Sequence, residues 1–337
     1  MDRSRPLAPL TTFHIGGPAR VFSEASSLEE LREAVVCAQE EHLPLFVLGA
    51  GSNVLVPDEG VEGVVVRLQF RGISFEDAGD TELLIAGAGA YWEDIVDAAT
   101  KRGLFGIENL AGIPGTLGGA AVQNIGAYGA EFKDVFAYAD VVHKTTGETH
   151  RMARPEVTFA YRSSFFKEHR EFIITQVALK LAKHGLPNTA YADIARAEAA
   201  GTPLATSSDV AFAIRAIRAR KFPSGAIEGT AGSFFKNPCV EASAAHDLGE
   251  RFPGLPTFPQ ENGTVKIPLA WILDHALSLK GYEIGRVRLY ENQPLVVVAK
   301  RGATAGEVNA FVDSIVARVR EATGVIIERE VETFGAR

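Results

Sequence analysis

Cysteine is almost absent: Cys37 and Cys239 are the only two in 337 residues, and no ligand spacing surrounds either. A disulfide framework and a structural zinc site are thereby excluded, and a reducing compartment is expected. No run of apolar residues approaches the length of a membrane span, and the opening MDRSRPLAPL has no apolar core of a secretory leader. A soluble, cytoplasmic protein is expected. Positive charge is also in deficit: the net charge is −8, against the cationic surface that a general nucleic-acid binder needs. HExxH, a Walker lysine loop and a GxSxG elbow are all missing. No internal repeat or low-complexity tract stands out.

What is present is an ordinary globular composition, 46% hydrophobic and 23% charged, in a chain long enough for two or three domains. Residues 109–131 read NLAGIPGTLGGAAVQNIGAYGAE and hold six glycines, with neither Lys nor Arg. So few large side chains cannot make an ordinary amphipathic element. Glycine admits positive φ and close approach, and successive bare N–H groups form concave anion sites. A long loop built around a bound cofactor is the expectation. GAGSNVL, residues 49–55, follows the apolar run LFVL and lacks both the third glycine and the helix of a dinucleotide fingerprint. It reads as a glycine turn able to hold phosphate through Ser52, Asn53 and its amides.

Local patterning places the elements. Ser27 and Glu30 form a capping-box pattern ahead of Leu28, Leu31 and Val35. In YWEDIVDAATKRG, Trp92, Ile95, Val96 and Ala99 make one helical face and Gly103 a stop. Strands around VVVRLQF and LLIAGAGA are joined by a polar stretch, and Thr146-Gly147 reads as a hairpin turn. Residues 184–208, rich in Ala, Pro, Thr and Gly, read as a connector. Ser208 is expected to cap a helix with Val210, Ile214 and Ile217 inward and Arg215, Arg218, Arg220 and Lys221 near its end. A helix is expected around AWILDHALSLKG, ended by Gly281. Strands follow near 287–299, and Thr304 and Glu307 open a helix that Gly324 stops. The chain closes on VIIEREVETF, where strand alternation would put Glu328, Glu330 and Glu332 on one face.

Five stretches in this order, GAGSNVL, AGIPGTLGGAAVQNIGAYGAE, YRSSFFK, AGSFFKNP and EREV, closely resemble the UDP-N-acetylenolpyruvoylglucosamine reductase family across residues 11–335. The resemblance implies an α+β fold: a two-subdomain FAD-binding portion of the vanillyl-alcohol-oxidase (PCMH) type plus a C-terminal α+β substrate-binding domain. The expected division is 1–68, completed by the strand at 325–337, then 69–206, then 207–324 for substrate. Non-covalent FAD would lie on Gly49, Ala50, Gly51, Ser52, Asn53, Val54 and Leu55, on Gly112, Ile113, Pro114, Gly115 and Thr116, and on Gly119, Asn124, Gly126, Ala127 and Val177. Tyr191, Arg218, Lys221, Asn237 and Gln293 fall where the family binds its UDP-sugar. The Tyr191 loop, present in one of the family's two types, is Ala-rich here.

By the same resemblance NADPH is the co-substrate, UDP-N-acetylglucosamine enolpyruvate the substrate and UDP-N-acetylmuramate, a peptidoglycan precursor, the product. The catalytic residues would be Arg162, stabilising developing enolate charge, Ser233, protonating the α-carbon with Lys236 or a water polarising it, and Glu330, orienting the carboxylate environment or itself protonated. No metal is implied, and a monomer with no nucleic-acid or membrane partner is expected. One departure is Glu332, where relatives often carry Arg. The alternatives are a flavin oxidase of the same superfamily, which commonly anchors FAD through a His or Cys that the central loop lacks, and a non-enzymatic nucleotide-binding protein.

Overall fold

The computed structural model describes residues 1–223, 228–260 and 262–336, and the chain forms two compact units, each with its own apolar core. The first comprises Met1–Arg5, Ala19–Ala50 and Val61–Ala219. Its four-stranded sheet runs β1 (Asp2–Pro6), β2 (Pro18–Ala25), β4 (Val61–Leu68), β3 (Leu45–Leu48), with β4 parallel to both β2 and β3. Val64, Val65 and Val66 of β4 are all fully buried, as a parallel strand covered on both faces requires. Helix α1 (Leu28–Glu40) covers the sheet with Leu31, Ala34, Val35 and Ala38. Its cap is half the expected box: the Ser27 hydroxyl accepts from the Glu30 amide, while the Glu30 carboxylate turns to Ser26.

A five-stranded antiparallel sheet follows, β5 (Ile73–Ala78), β6 (Thr81–Gly87), β7 (Phe136–His143), β8 (Thr149–Ala153) and β9 (Phe172–Ala182), in the spatial order β8-β7-β9-β6-β5. Strand β5 is the polar stretch of the sequence; Ile73 and Phe75 are half-buried between outward Ser74 and Glu76, an edge strand carrying charge on its open side. Helix α2 (Trp92–Lys101) buries Trp92, Ile95, Val96 and Ala99 as its spacing predicts.

The glycine-rich centre is not one long loop. It contains a seven-residue helix, α3 (Leu117–Gln123), capped by the Thr116 hydroxyl and closed by Asn124 in the left-handed conformation at φ 44°. Buried on Leu117, Gly118, Ala120 and Ala121, it is a helix made compact by having little side chain, so no apolar stripe announces it. Residues 184–208 likewise are more than a connector: α4 (Ala192–Ala199) forms from strong helix formers anchored by fully buried Ile194. Helix α5 (Ser207–Lys221) starts one residue earlier than Ser208 allows; Thr206 and Asp209 exchange the capping bonds, and Ser208 donates to the Thr100 carbonyl instead.

The second unit comprises Pro6–Pro18, Gly51–Gly60 and Arg220–Arg337. Its main sheet is antiparallel, Glu228–Gly229, then β11 (Gln293–Lys300), β10 (Val287–Tyr290) and Glu283–Ile284. Helix α6 (Ala305–Thr323) packs on it through Val308, Phe311, Val312, Ile315 and Val319, opened by the full Thr304/Glu307 box and stopped by Gly324 at φ 76°. The helix expected around AWILDHALSLKG is one α-turn, Leu269–Trp271, running into a π-turn, Ile272–Ala276, and it ends well before Gly281. The closing segment is not one continuous strand. It pairs first with residues 234–236, then bends, and only Glu332–Thr333 continues in strand, parallel to Val54–Leu55. Ile327 and Val331 are buried, while Glu328 is exposed and Glu330 and Glu332 are half-buried.

Candidate active site

Two of the glycine segments meet in the first unit. A Cβ on Gly49 would lie 2.8 Å from the Thr116 hydroxyl oxygen, so the turn after β3 and the start of α3 touch through a position only glycine fills. The amides of Leu117 and Gly118 donate to the carbonyls of Ala90 and Ala88, both at 2.9 Å, which lays α3 against the chain leaving β6. Gly112 has φ 71°; its N–H donates to Glu93 Oε2 at 2.7 Å, and its carbonyl accepts from Arg218 Nε at 2.9 Å. Gly119 differs from these: a Cβ there would meet nothing closer than the Thr116 hydroxyl at 3.5 Å.

Within the first unit, residues 49–50 and 113–116 carry no acidic side chain and offer main-chain amides with the Thr116 hydroxyl. That donor set, with an open face at Gly119, fits the pyrophosphate of FAD. Val54 and Leu55 sit in the short strand beside residues 332–333, and Ile113, Pro114 and Gly115 bridge Gly112 to the α3 cap. Val177, within β9, is fully buried.

Arg162 is held against the far end of α3. Its backbone has φ 55°, Nη2 donates to the Gly126 carbonyl at 2.7 Å, and a Cβ on Gly126 would come within 2.9 Å of Nη1. Asn124, fully buried, donates to the Ala160 carbonyl and Glu131 and accepts from the Lys133 amide. Ser164 donates to the Val122 carbonyl, and Lys167 Nζ to Gln123 Oε1. The YRSSFFK motif and the end of the glycine-rich motif are therefore one packed piece, with Gly126 and Ala127 in a short pairing beside it.

In the second unit the segments that carry Ser233 and Glu330 lie side by side. Ser233 pairs with Val296 in an isolated bridge, and the Glu330 amide donates to the carbonyl of the next residue, Phe234, at 2.7 Å. Asn53 Nδ2 donates to the Glu330 carbonyl at 3.2 Å, and the Glu332 amide to the Asn53 carbonyl at 3.1 Å. The glycine turn thus pins the closing motif. Lys236 Nζ pairs with Glu328 at 2.9 Å. Asn237 Oδ1 accepts from the Leu269 amide at 3.0 Å, and Gln293 opens β11.

The basic end of α5 does not form a uniform patch. Arg215 pairs with Glu93 and Asp97, and Arg218 reaches Gly112 and the Tyr128 hydroxyl, while Lys221 closes the helix. Burial pushes the Arg218 guanidinium below its ordinary value, with Tyr128 opposing. Burial also raises the Tyr128 phenol to about 12 and, with Asp193, raises that of Tyr191. Tyr191, at the start of α4, meets the Tyr128 ring edge-on, centroids 5.2 Å apart. Asn109 Nδ2 donates to the carbonyls of Tyr128 and Asn188, and its Oδ1 is buried with no partner among the described residues. Sequence reasoning missed Glu93, Tyr128 and Asn109: Glu93 looks like any acidic residue in a first helical turn, and the other two lie in or beside a loop with no periodicity.

Among the described residues no cluster of His, Cys, Asp and Glu could hold a metal, and no helix is long and apolar enough to cross a membrane. A sequence model of the FAD binding domain matches residues 19–153, and one of the UDP-N-acetylenolpyruvoylglucosamine reductase C-terminal domain matches 223–334. The chain is 39% identical to the UDP-N-acetylenolpyruvoylglucosamine reductase of Pseudomonas aeruginosa, over 97% of each chain. It is 34% identical to that of Shewanella baltica, over 100% of this chain and 98% of the other. The crystal structure of the reductase from Thermus caldophilus superposes with a TM-score of 0.68 at 28% identity, covering 97% of both chains. The chain belongs to the UDP-N-acetylenolpyruvoylglucosamine reductase family.

Proposed function

We propose that Arg162, Ser233 and Glu330 carry the reaction of this family in this chain, the NADPH-dependent reduction of UDP-N-acetylglucosamine enolpyruvate to UDP-N-acetylmuramate. FAD, when bound, supplies the two-electron chemistry that links NADPH oxidation to reduction of the enolpyruvyl double bond. The balance is one hydride to the methylene carbon and one proton to the carbon bearing the carboxylate, with NADP⁺ released. The chain's residues must therefore bind FAD, hold an anionic enol ether and deliver that proton.

Gly49, Ala50, Gly51, Ser52, Asn53, Val54, Leu55, Gly112, Ile113, Pro114, Gly115, Thr116, Gly119, Gly126 and Ala127 hold the cofactor through amides and neutral polar groups. Asn124, with its side chain engaged by protein, and Val177, with no exposed surface, support that surface from behind. Arg162 presents fixed positive charge to the enolpyruvyl carboxylate, where negative charge grows as hydride arrives, and a preorganised cation there lowers the barrier. Ser233 Oγ–H donates the proton to the α-carbon. Glu330, pinned at its amide by Phe234 and at its carbonyl by Asn53, orients the carboxylate environment beside Ser233. The hydrogen bond joining the Ser233 and Glu330 segments is the observation that carries this assignment.

Tyr191, Lys221, Asn237 and Gln293 bind the UDP-sugar. Arg218, engaged with Gly112 and Tyr128, joins them in binding the UDP-sugar. The motif content supports the functional division at 68, 206 and 324, with 325–337 returning to the first part. Two unpaired cysteines, half-buried Cys37 and exposed Cys239, support a cytoplasmic location, and the reaction asks for no second subunit.

The test separates the half-reactions. Ser233→Ala leaves reduction of the flavin by NADPH near normal and slows reoxidation by the enolpyruvyl sugar by about 10²–10⁴-fold, the cost of losing a positioned acid. Ser233→Cys retains more of the second step than alanine. Equal slowing of both halves, or of neither, removes Ser233 from the role.

A further inference from the structure

The first turn of α2 carries a carboxylate, Glu93, whose hydrogen-bond partners lie outside its own helix. An acidic residue there ordinarily complements the free amides of the helix start. Glu93 instead faces outward with both oxygens: Oε1 accepts from Arg215 Nε of α5, and Oε2 accepts the Gly112 N–H at 2.7 Å. From the other side, Arg218 Nε donates to the Gly112 carbonyl at 2.9 Å, and its Cδ would stand 3.1 Å from any Cβ added there. The two peptide groups flanking one α-carbon are thus each held by a charged side chain from a different helix. With both planes fixed, φ stays at 71° and the chain leaves Gly112 in one direction. What leaves in that direction is Ile113-Pro114-Gly115-Thr116 and the cap of α3.

We propose that Glu93 is a positioning residue for the cofactor: it fixes the Gly112 peptide so that segment 112–116 is already shaped for the FAD pyrophosphate before binding. This rests on the reading that segment 112–116 contacts FAD. Glu93 touches neither cofactor nor substrate. Arg215, which also pairs with Asp97, holds the carboxylate in its orientation toward Gly112. Without the tie, the segment orders only on binding, and that ordering cost falls on affinity. Removal of a hydrogen bond to a charged group weakens binding by about 10- to 100-fold.

The experiment titrates apoprotein with FAD and follows flavin fluorescence, with FAD dissociation rates and apoprotein melting measured on the same samples. Glu93→Ala raises the FAD Kd about 10- to 100-fold and speeds FAD release while the apoprotein still melts cooperatively. Glu93→Gln, which keeps an acceptor oxygen for the Gly112 N–H, recovers part of that loss. Gly119→Ala, which alters the proposed contact surface and leaves the Gly112 tie intact, is the control for the underlying reading. Wild-type affinity in Glu93→Ala beside weakened affinity in Gly119→Ala overturns the positioning role and leaves the reading standing. Wild-type affinity in both overturns the two together. Should Glu93→Ala fail to fold, Glu93→Asp decides, since it keeps the charge and withdraws it by one methylene: unchanged affinity there overturns the proposal.

Discussion

Gly119→Ala sets two effects of opposite sign against each other. Within the protein a methyl at 119 meets only the Thr116 hydroxyl, at 3.5 Å, an ordinary contact distance. Position 119 is inside α3, where alanine is favoured over glycine by roughly 0.5–1 kcal/mol because the unfolded chain loses less freedom. The apoprotein should gain up to that amount, seen as a rise of about 1–4 °C in its melting temperature. If FAD lies against that bare face, the same methyl intrudes on a packed contact and costs about 1–3 kcal/mol. That is roughly a 5- to 150-fold increase in Kd. Thermal melts of apoprotein and fluorescence titration with FAD measure the two effects separately. A stabilised apoprotein with unchanged FAD affinity refutes the placement of the cofactor. Neighbouring Gly118 lacks this property, since its Cβ would press on Ala88 at 3.0 Å and disturb the fold itself.

Asn237→Asp keeps the acceptor for the Leu269 amide and removes the NH₂ donor, so the KM for the UDP-sugar should rise about tenfold with melting unchanged. Asn237→Ala should lower the melting temperature as well, and an unchanged KM in Asn237→Asp, read by steady-state kinetics, contradicts substrate binding there. Tyr128 gives a pH signature. Burial holds its phenol neutral to about 12 in the folded state, against roughly 10 when unfolded. A raised folded value contributes stability that is complete below the unfolded value and is lost as pH climbs through the folded one. Wild type should therefore lose stability to denaturant more steeply than Tyr128→Phe between pH 10 and 12. Parallel curves for the two proteins in that window contradict the burial argument.

Local signals carried through in part: the Ser27/Glu30 box formed by half and Ser208 does not cap α5, while others held. The faces of α2 and α6, the Thr304/Glu307 box, the Gly324 stop and the Gly147 turn all follow from spacing and backbone chemistry. Helix α3 was illegible because hydrophobic periodicity needs side chains, and GGAAV has almost none. The break after Trp271 was hidden because an α-turn and a π-turn show the same apolar content over so few residues. Site geometry was hidden for a different reason. The partners of Gly112 lie 19 and 106 residues away, so neither leaves a mark near it. Motifs brought Ser233 and Glu330 forward as residue types; the pairing of residues 234–236 with 328–330 in the structure is what joins their segments. Lys236 illustrates the converse, close to Ser233 in sequence yet paired with Glu328.

The most direct test of the central claim is a single turnover without oxygen. Protein loaded with FAD is bleached by one equivalent of NADPH, freed of NADP⁺ and mixed with UDP-N-acetylglucosamine enolpyruvate. The account predicts that the yellow absorbance returns in one phase, with one UDP-N-acetylmuramate formed per flavin. Colour that returns only when air is admitted, with the enolpyruvyl sugar unchanged, would contradict it.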